Sequence, residues 1–264
     1  MSAVFAGLAW HLRALVPGKY GSHFAVAICL LALGNVFFLL QGRSAHAVAI
    51  LLITLAIAWQ MPRKYRFMVI VLPFLLVLVL YMSSMKVQSR LDSLIKEVQT
   101  FSFKQGADVN SNSSSGIRLH FWNRALQSIS ENPVLGSGAG SWSNEFNRLE
   151  RIQNPAHKDI KPLGNPHQEY LLWGVQLGVP GILLLFGLMI SILKDTLSMD
   201  EQLARATQSA LLALAVACLF NSSIYDAQIG DYFCVVLGLL LTLGLHPANS
   251  TQTTGHLRLN SGPT

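Results

Sequence analysis

The stretch GNPHQEYLLWGVQLGVPGILLL, residues 164–185, joins a short polar segment to a long apolar run. This run continues past residue 185 and predicts a membrane-spanning helix from about 168 to 193, because roughly 17–25 apolar residues are needed to cross the hydrocarbon layer of a bilayer. Gly178, Pro180 and Gly181 interrupt the run. Such residues in a membrane helix indicate a kink or a re-entrant bend, so we expect this helix to be bent.

The polar start of this helix is unusual for a segment that only crosses a bilayer. Pro166 is suited to the first helical turn, which places His167 near the helix N-terminus, followed by Glu169 and Tyr170. One interpretation is a histidine at headgroup level, with Tyr170 and Trp173 in an aromatic belt. The other is a general base, because a neutral imidazole accepts a proton near neutral pH. The residues alone leave both interpretations open.

The rest of the chain repeats the apolar pattern. Of its 264 residues, 52% are hydrophobic and 12% are charged, and this charged share is about half that of a typical soluble domain. We therefore predict an all-α polytopic membrane helix bundle with about six transmembrane helices and one long, partly helical loop. The predicted spans are 23–40, 45–60, 67–83, 168–193, 206–222 and 232–246.

These spans divide the chain into five segments. The first, 1–22, contains an apolar stretch that is shorter than a typical span, so it is either an interfacial helix or the remnant of an upstream span. The polar tail is expected to be disordered. The segments are an N-terminal cytoplasmic or interfacial segment (1–22), spans one to three (23–83), the long loop (84–166), spans four to six (167–246) and the cytoplasmic tail (247–264).

The basic residues give an expected orientation. MPRKYR at 61–66 is the densest short basic cluster and should be cytoplasmic by the positive-inside rule. The long loop, the turn QGRSA at 41–45 and the start of span four then share the opposite, periplasmic side. Arg43 lies in that turn, where an arginine either extends to lipid headgroups or binds a ligand.

Composition disfavours some other functions. The net charge is +6, but the basic residues do not form a stripe with interleaved aromatic residues, so we expect no nucleic-acid partner. Cys29, Cys218 and Cys234 lie far apart inside apolar runs. They are expected to be small core residues, and a disulfide or metal role is not predicted.

Two motifs stand out in the long loop. GIRLHFWNRALQSISENP at 116–133 has the apolar periodicity of an amphipathic helix, which Asn132-Pro133 should end. Arg118 and Trp122 fall on one side of it. GSGAG at 136–140 follows, and its glycines allow either a plain tight turn or a close approach of backbone to a ligand.

Together these stretches resemble a known group of membrane enzymes. RLHFWNRALQSISENPVLGSGAGSW, followed by NPHQEYLLWGVQLGVPGILLL, is similar to the paired motifs of the O-antigen ligase / O-antigen polymerase superfamily. QGRSA resembles the arginine-bearing turn of that superfamily, and FNSSIYDAQIGDYFCVVLGLLL at 220–241 resembles its closing spans. The resemblance covers about residues 22–246.

The resemblance implies a lipid-linked glycan transferase of the bacterial inner membrane. The glycan would move from undecaprenyl diphosphate to lipid A–core oligosaccharide on the periplasmic face, with inversion, without a metal ion and without a cofactor. An O-antigen polymerase or a protein O-oligosaccharyltransferase is the alternative within the superfamily. Family members have about a dozen spans, so we expect this chain to correspond to the C-terminal portion. Whether this portion is active by itself stays open.

The resemblance also implies site residues. His167 would be the catalytic base, and Arg118 would act in catalysis and, with Arg43, hold the donor diphosphate. Fixed guanidinium groups suit this role because charge builds on a diphosphate as it leaves. Trp122, Tyr170 and the glycine-rich turn, around positions 137 and 139, are the further expected substrate-binding residues.

A function of another class stays open: an inactive fragment, a non-catalytic scaffold or half of a transporter. Transporters place charged groups in the middle of their spans. Here the spans are nearly free of charge, and the polar groups gather at one face. This pattern favours surface chemistry on a lipid-linked substrate.

Overall fold

The computed structural model describes residues 1–40, 43–83, 88–89, 92, 95, 114–155 and 164–245. Within these residues the regular structure is entirely helical, which confirms the predicted all-α class. The helices are α1 (Ser2–His11), α2 (Gly21–Gly34, continued by a wider turn over Asn35–Leu39), α3 (Arg43–Gln60), α4 (Arg66–Ser83), α5 (Ser114–Glu131), α6 (Trp142–Gln153), α7 (Glu169–Asp195), α8 (Glu201–Phe220) and α9 (Ala227–Leu245).

Four segments of the described chain are long and apolar enough to cross a membrane, which confirms a polytopic membrane protein. A further apolar helix, Ser44–Gln60, is shorter, and α4 lies at the position predicted for span three. The bounds agree with the predicted spans to within five residues. The four segments are Gly21–Leu39, Glu169–Ser198, Glu201–Phe220 and Ala227–Leu245.

α8 lies at the centre of the bundle. Its alanines Ala206, Ala210 and Ala213 are fully buried and belong to the main core cluster with residues of α1, α3, α7 and α9. Small side chains let membrane helices approach closely and gain dispersion contacts. These contacts matter because no hydrophobic driving force from water acts between helices in lipid. The sequence of α8 therefore explains its central place.

α1 is part of this bundle. Its residues Ala3 and Val4 are buried in the main core, and the ring of His11 packs edge-on against Trp59 of α3, with the ring centroids 5.0 Å apart. This packing favours a helix inserted among the others over a helix lying at the membrane surface.

α7 is bent back on itself at Gly178, which has φ 71° and ψ −163°. The rings of Tyr170 and Phe186 stack with centroids 5.0 Å apart, although sixteen residues of unbroken helix would separate them by about 24 Å. The chain therefore reverses, and a first arm (169–177) packs beside a second arm (179–195). This α7 hairpin confirms the predicted bend.

α5 and α6 form a second layer on the first arm. α5 confirms the helix predicted at 116–133 and ends at Glu131, just before Asn132-Pro133. It runs parallel to the first arm, since Phe121 stacks on His167 and Ile129 contacts Gly174. The layer has its own core of Phe121, Ala125, Trp142, Phe146, Leu172 and Val175.

The turn between α5 and α6 clamps the bend in α7. A helix break frees backbone groups that must find other partners when buried, and this turn supplies them. A Cβ on Gly136 would lie 2.5 Å from the carbonyl carbon of Gln176, so this approach needs a glycine. The hydrogen bonds run from Val179 N to Pro133 O (2.7 Å), Ser137 N to Val175 O (2.8 Å) and Gly138 N to Gln176 O (3.0 Å).

Some predictions lie outside the described residues. They are most of the segment 86–116, whose Ser/Asn/Gly-rich end VNSNSSSG predicts a flexible linker, the disordered tail at 247–264 and positions 41–42 of the QGRSA turn. The predicted end of this linker is wrong, because residues 114–116 belong to α5.

Candidate functional site

His167 lies where α5, the start of α7 and the α8–α9 turn meet. Its φ of 55° is the single positive value of a non-glycine residue in the described chain, and its backbone N–H donates to Asn165 Oδ1 at 2.8 Å. A left-handed conformation costs a side-chain-bearing residue about 1–2 kcal/mol, and such strain is concentrated at functional sites.

The start of α7 differs from the prediction in one respect. The expectation that Pro166 occupies the first helical turn is wrong, because α7 begins at Glu169. Gln168 caps it instead, with its Oε1 accepting from Leu171 N at 2.5 Å. His167 therefore lies just before the cap, with its backbone outside the helix.

The imidazole of His167 is held by two contacts. Its Nδ1 lies 3.2 Å from Asn221 Oδ1, and its ring stacks on Phe121 with 6.4 Å between centroids and 21° between planes. In the neutral tautomer that donates Nδ1–H to this oxygen, the lone pair lies on Nε2. A ring held in this way can accept a proton at Nε2.

Glu169 joins the two elements that carry the contact between His167 and Asn221. Its side chain is 1% exposed and accepts hydrogen bonds from Trp173 Nε1 (2.9 Å), Ile224 N (2.9 Å) and Tyr225 N (3.3 Å). It also lies in the first turn of α7, where the helix dipole favours a negative charge. Since Ile224 and Tyr225 belong to the α8–α9 turn, the carboxylate ties that turn, and with it Asn221, to α7.

α5 covers the site with an indole and carries an arginine beside it. Trp122 Nε1 donates to Pro166 O at 3.2 Å, so this ring lies against the residue before His167. Arg118 is four residues earlier and exposed, and side chains at i and i+4 share one face of a helix. Arg118 therefore lies on the face of α5 that contains Trp122.

The start of α3 lies at the same end of the bundle. α3 begins at Arg43, whose side chain is outside the described part of the chain. The next residue, Ser44, lines a cavity of about 130 Å³ together with Asn221 and Ser223. One cavity thus separates the start of α3 from the residue that holds the His167 ring.

The sequence of this region identifies the family. A profile of the family described as O-antigen ligase matches residues 26–186, more than half of the chain. The chain belongs to the O-antigen ligase family. This membership confirms the resemblance and makes the chain a membrane protein of a glycosyl-transferring type. No curated protein matches the chain.

Three of the expected substrate-binding positions in this O-antigen ligase family member differ from the expectation. Tyr170 is buried in the bundle, and its hydroxyl donates to Ala215 O at 3.0 Å. Positions 137 and 139 are Ser137 and Ala139, whereas the positive φ values of the turn belong to its glycines, one residue to either side. Those glycines are Gly136 (64°), Gly138 (98°) and Gly140 (74°).

A buried charged network, which sequence reasoning missed, joins α5 to α6. Glu150 contacts His120 Nε2 at 2.7 Å and accepts from Arg124 Nε at 2.5 Å. Burial alone would raise the pKa of Glu150, but the hydrogen bonds and charges of these two partners outweigh it and lower the pKa to about 2. His120 and Arg124 are four residues apart, and this spacing is the signal that could have suggested a shared partner.

Asn221 was the other residue missed. It ends α8 at the border of an apolar run, where a polar residue ordinarily caps or faces headgroups. It lies 54 residues from its partner His167 in the chain, so only the fold brings the two together.

Proposed function

We propose that this chain transfers a glycan from undecaprenyl diphosphate to a sugar hydroxyl of lipid A–core oligosaccharide, as an O-antigen ligase does. The observation that supports this best is the His167–Asn221 contact. It leaves Nε2 of His167 as the proton acceptor at the junction between the bundle and the α5–α6 layer.

The proposed reaction is a single displacement. His167 Nε2 takes the proton of the acceptor hydroxyl while its oxygen attacks the anomeric carbon of the donor sugar. The bond from that carbon to the diphosphate oxygen breaks on the opposite face, so configuration is inverted. Undecaprenyl diphosphate leaves with the electron pair. No metal ion or cofactor takes part in this scheme.

Arg118 and Arg43 would stabilise the leaving group. A guanidinium group binds phosphate oxygens in a two-pronged geometry, and a cation placed where charge develops lowers the barrier. Arg118 is exposed on the α5 face beside the site. Trp122 would pack its half-buried ring against the sugar. Tyr170, which bonds within the bundle, has no part in this proposal.

The distribution of basic residues supports a position of the site on the periplasmic face of the inner membrane. α3 runs from Arg43 at the His167 end of the bundle to Gln60, and the basic cluster MPRKYR follows directly. Short basic loops remain in the cytoplasm, so the opposite end of α3, and His167 with it, would face the periplasm.

Replacing His167 tests the assignment of the base. Asparagine adopts the left-handed conformation more readily than most residues, so His167→Asn should keep the local backbone that His167→Ala would strain. We expect both variants to lose surface polysaccharide attachment at unchanged protein level, by about 10²–10⁴-fold in rate. Immunoblotting of the polysaccharide and of the protein measures both quantities. His23→Ala, at an exposed position of α2, is the control, and normal attachment in His167→Asn would refute the assignment.

Arg118→Lys tests the diphosphate contact. Lysine keeps the charge but cannot make two parallel hydrogen bonds to a phosphate, so we expect a raised KM for the lipid-linked donor in a purified assay. Arg205→Lys on α8, at the end away from His167, is the matched control, because Arg205 pairs with the exposed Glu201 and lysine can keep that pair. An unchanged KM in Arg118→Lys would remove this residue from the site.

The acceptor decides between ligase and its alternatives. In a deletion strain, accumulation of undecaprenyl-linked polymer indicates a ligase, and single repeat units indicate an O-antigen polymerase. Loss of glycan from proteins alone indicates a protein O-oligosaccharyltransferase. A deletion strain in which polymer attachment, polymer length and protein glycosylation are all unchanged would favour a scaffold or an inactive chain.

A further inference from the structure

Apolar side chains are exposed around the apex of the α7 hairpin. Val134 and Leu135 come from the turn after α5 and are 67% and 82% exposed, and Leu177 and Val179 flank Gly178 with 40% and 43% exposed. We call these four residues the apolar tip. They lie together because Val179 N donates to the carbonyl oxygen of residue 133, which precedes Val134.

The apolar tip continues a surface that faces lipid. Leu183 and Leu184, about one turn beyond Val179 on the second arm, are 64% and 63% exposed and belong to a candidate membrane-crossing segment. An exposed apolar patch on a protein marks a surface that contacts something else. Here the patch adjoins side chains that already require hydrocarbon around them.

The sequence around the apolar tip also suits a membrane. Residues 132–141, which form the turn before α6, contain no charged side chain, so this turn can enter the boundary between headgroups and acyl chains without dehydrating a charge. Ion-paired residues begin only outside it, at Glu131 and Glu145, which share Arg148.

We propose that the apolar tip inserts into the surface of the bilayer, in the leaflet next to the His167 site. Backbone hydrogen bonds from the turn after α5 link the tip to the first arm of α7, and α5 is packed along that arm. The bilayer at one end and the bundle at the other would then fix the height of α5 above the membrane. This proposal does not depend on the reaction that the site catalyses.

Spin-label accessibility in proteoliposomes tests the insertion. Full-length Leu135→Cys in a Cys234→Ala background would carry a nitroxide in vesicles of phosphatidylethanolamine and phosphatidylglycerol. Cys234 is replaced because it is exposed, whereas Cys29 and Cys218 are buried. Oxygen concentrates in hydrocarbon and a nickel chelate stays in water, so the two relaxation agents report the surroundings of the label.

Matched labels give the two reference environments. Leu184→Cys reports a lipid-facing position of the second arm, and Asn144→Cys reports an exposed polar position of α6. We expect the label at 135 to favour oxygen over the nickel chelate, as at 184. A water-like ratio, as at 144, would overturn the proposal. Low accessibility to both agents would also overturn it, because the tip would then be covered by protein. Val134→Cys repeats the test should Leu135→Cys not fold.

Discussion

At the residue scale, the proposed chemistry depends on how His167 is held. Asn165 bonds its backbone, Asn221 bonds its ring nitrogen Nδ1 and Phe121 packs against its face. A general base must present its lone pair to the substrate in a fixed direction, because proton transfer requires hydrogen-bond geometry. The structure supplies that direction through residues from three different elements.

Replacing Asn221 tests how the His167 ring is oriented while the ring itself stays in place. Asn221→Leu removes the acceptor of Nδ1–H, so we expect kcat to fall by a part of the roughly 10²–10⁴-fold that base catalysis contributes. Asn221→Asp keeps an oxygen at that place and should retain more activity, with an altered pH–rate profile. Assays of purified protein across pH measure both effects. Equal kcat and equal profiles in wild type and Asn221→Leu would contradict the positioning role.

At the element scale, the α7 hairpin is the feature that places His167. The glycine-rich turn satisfies the backbone groups freed at the bend, and α5 packs along the first arm. The residues that make this possible are glycines whose backbone angles or close contacts exclude a side chain. The turn is thus explained by its contacts with α7, whether or not it also meets substrate.

Gly178→Ala tests the hairpin. A Cβ there would lie 2.5 Å from Pro133 O, and φ is positive, so we expect a loss of stability of more than about 1–2 kcal/mol. Gly187→Ala on the second arm is the control, since a Cβ there meets nothing within 4 Å; it should be neutral or stabilising by about 1 kcal/mol. Thermal unfolding in detergent compares them. Equal melting temperatures would show that the bend does not need this glycine.

Glu150→Gln tests the docking of α6 on α5. It leaves the Arg124 guanidinium buried without its carboxylate, and breaking a buried pair costs about 3–5 kcal/mol. Glu201→Gln is the control, because the side chain of Glu201 is 74% exposed and surface pairs contribute little. Thermal unfolding in detergent should show a large loss for Glu150→Gln alone, and similar losses in both variants would contradict the network's role.

The same carboxylate predicts a pH dependence. Its pKa is about 2 in the folded protein and 4.5 as the ordinary value, so its contribution to stability is complete above about pH 4.5 and disappears as pH falls toward 2. Glu150→Gln should therefore lose this part of the acid sensitivity.

At the scale of the whole molecule, apolar runs and their breaks predicted most of the fold. The spans, α5 and the bend at Gly178 all follow from local periodicity, glycine and proline. The Pro166 helix start was wrong because Gln168 offers a capping oxygen that competes with proline. Packing of α1 into the core depends on long-range contacts with α3 and α8 that no local pattern records.

The site was less predictable than the fold. His167, Arg118 and Trp122 were named from motifs, and the structure places Trp122 and the face of Arg118 beside His167. Asn221 and Glu150 were not named, since their partners are distant in sequence. Tyr170 was named as a substrate contact because it follows His167 in the motif. Only the fold shows that its side chain points into the bundle.

The most direct test of the account is an experimental structure of the protein with bound undecaprenyl diphosphate in a lipid nanodisc. The account predicts the diphosphate at the His167 end of the bundle, in contact with the side chains of both Arg118 and Arg43. A diphosphate bound at the end of MPRKYR, or one beyond the reach of both arginines, would contradict it.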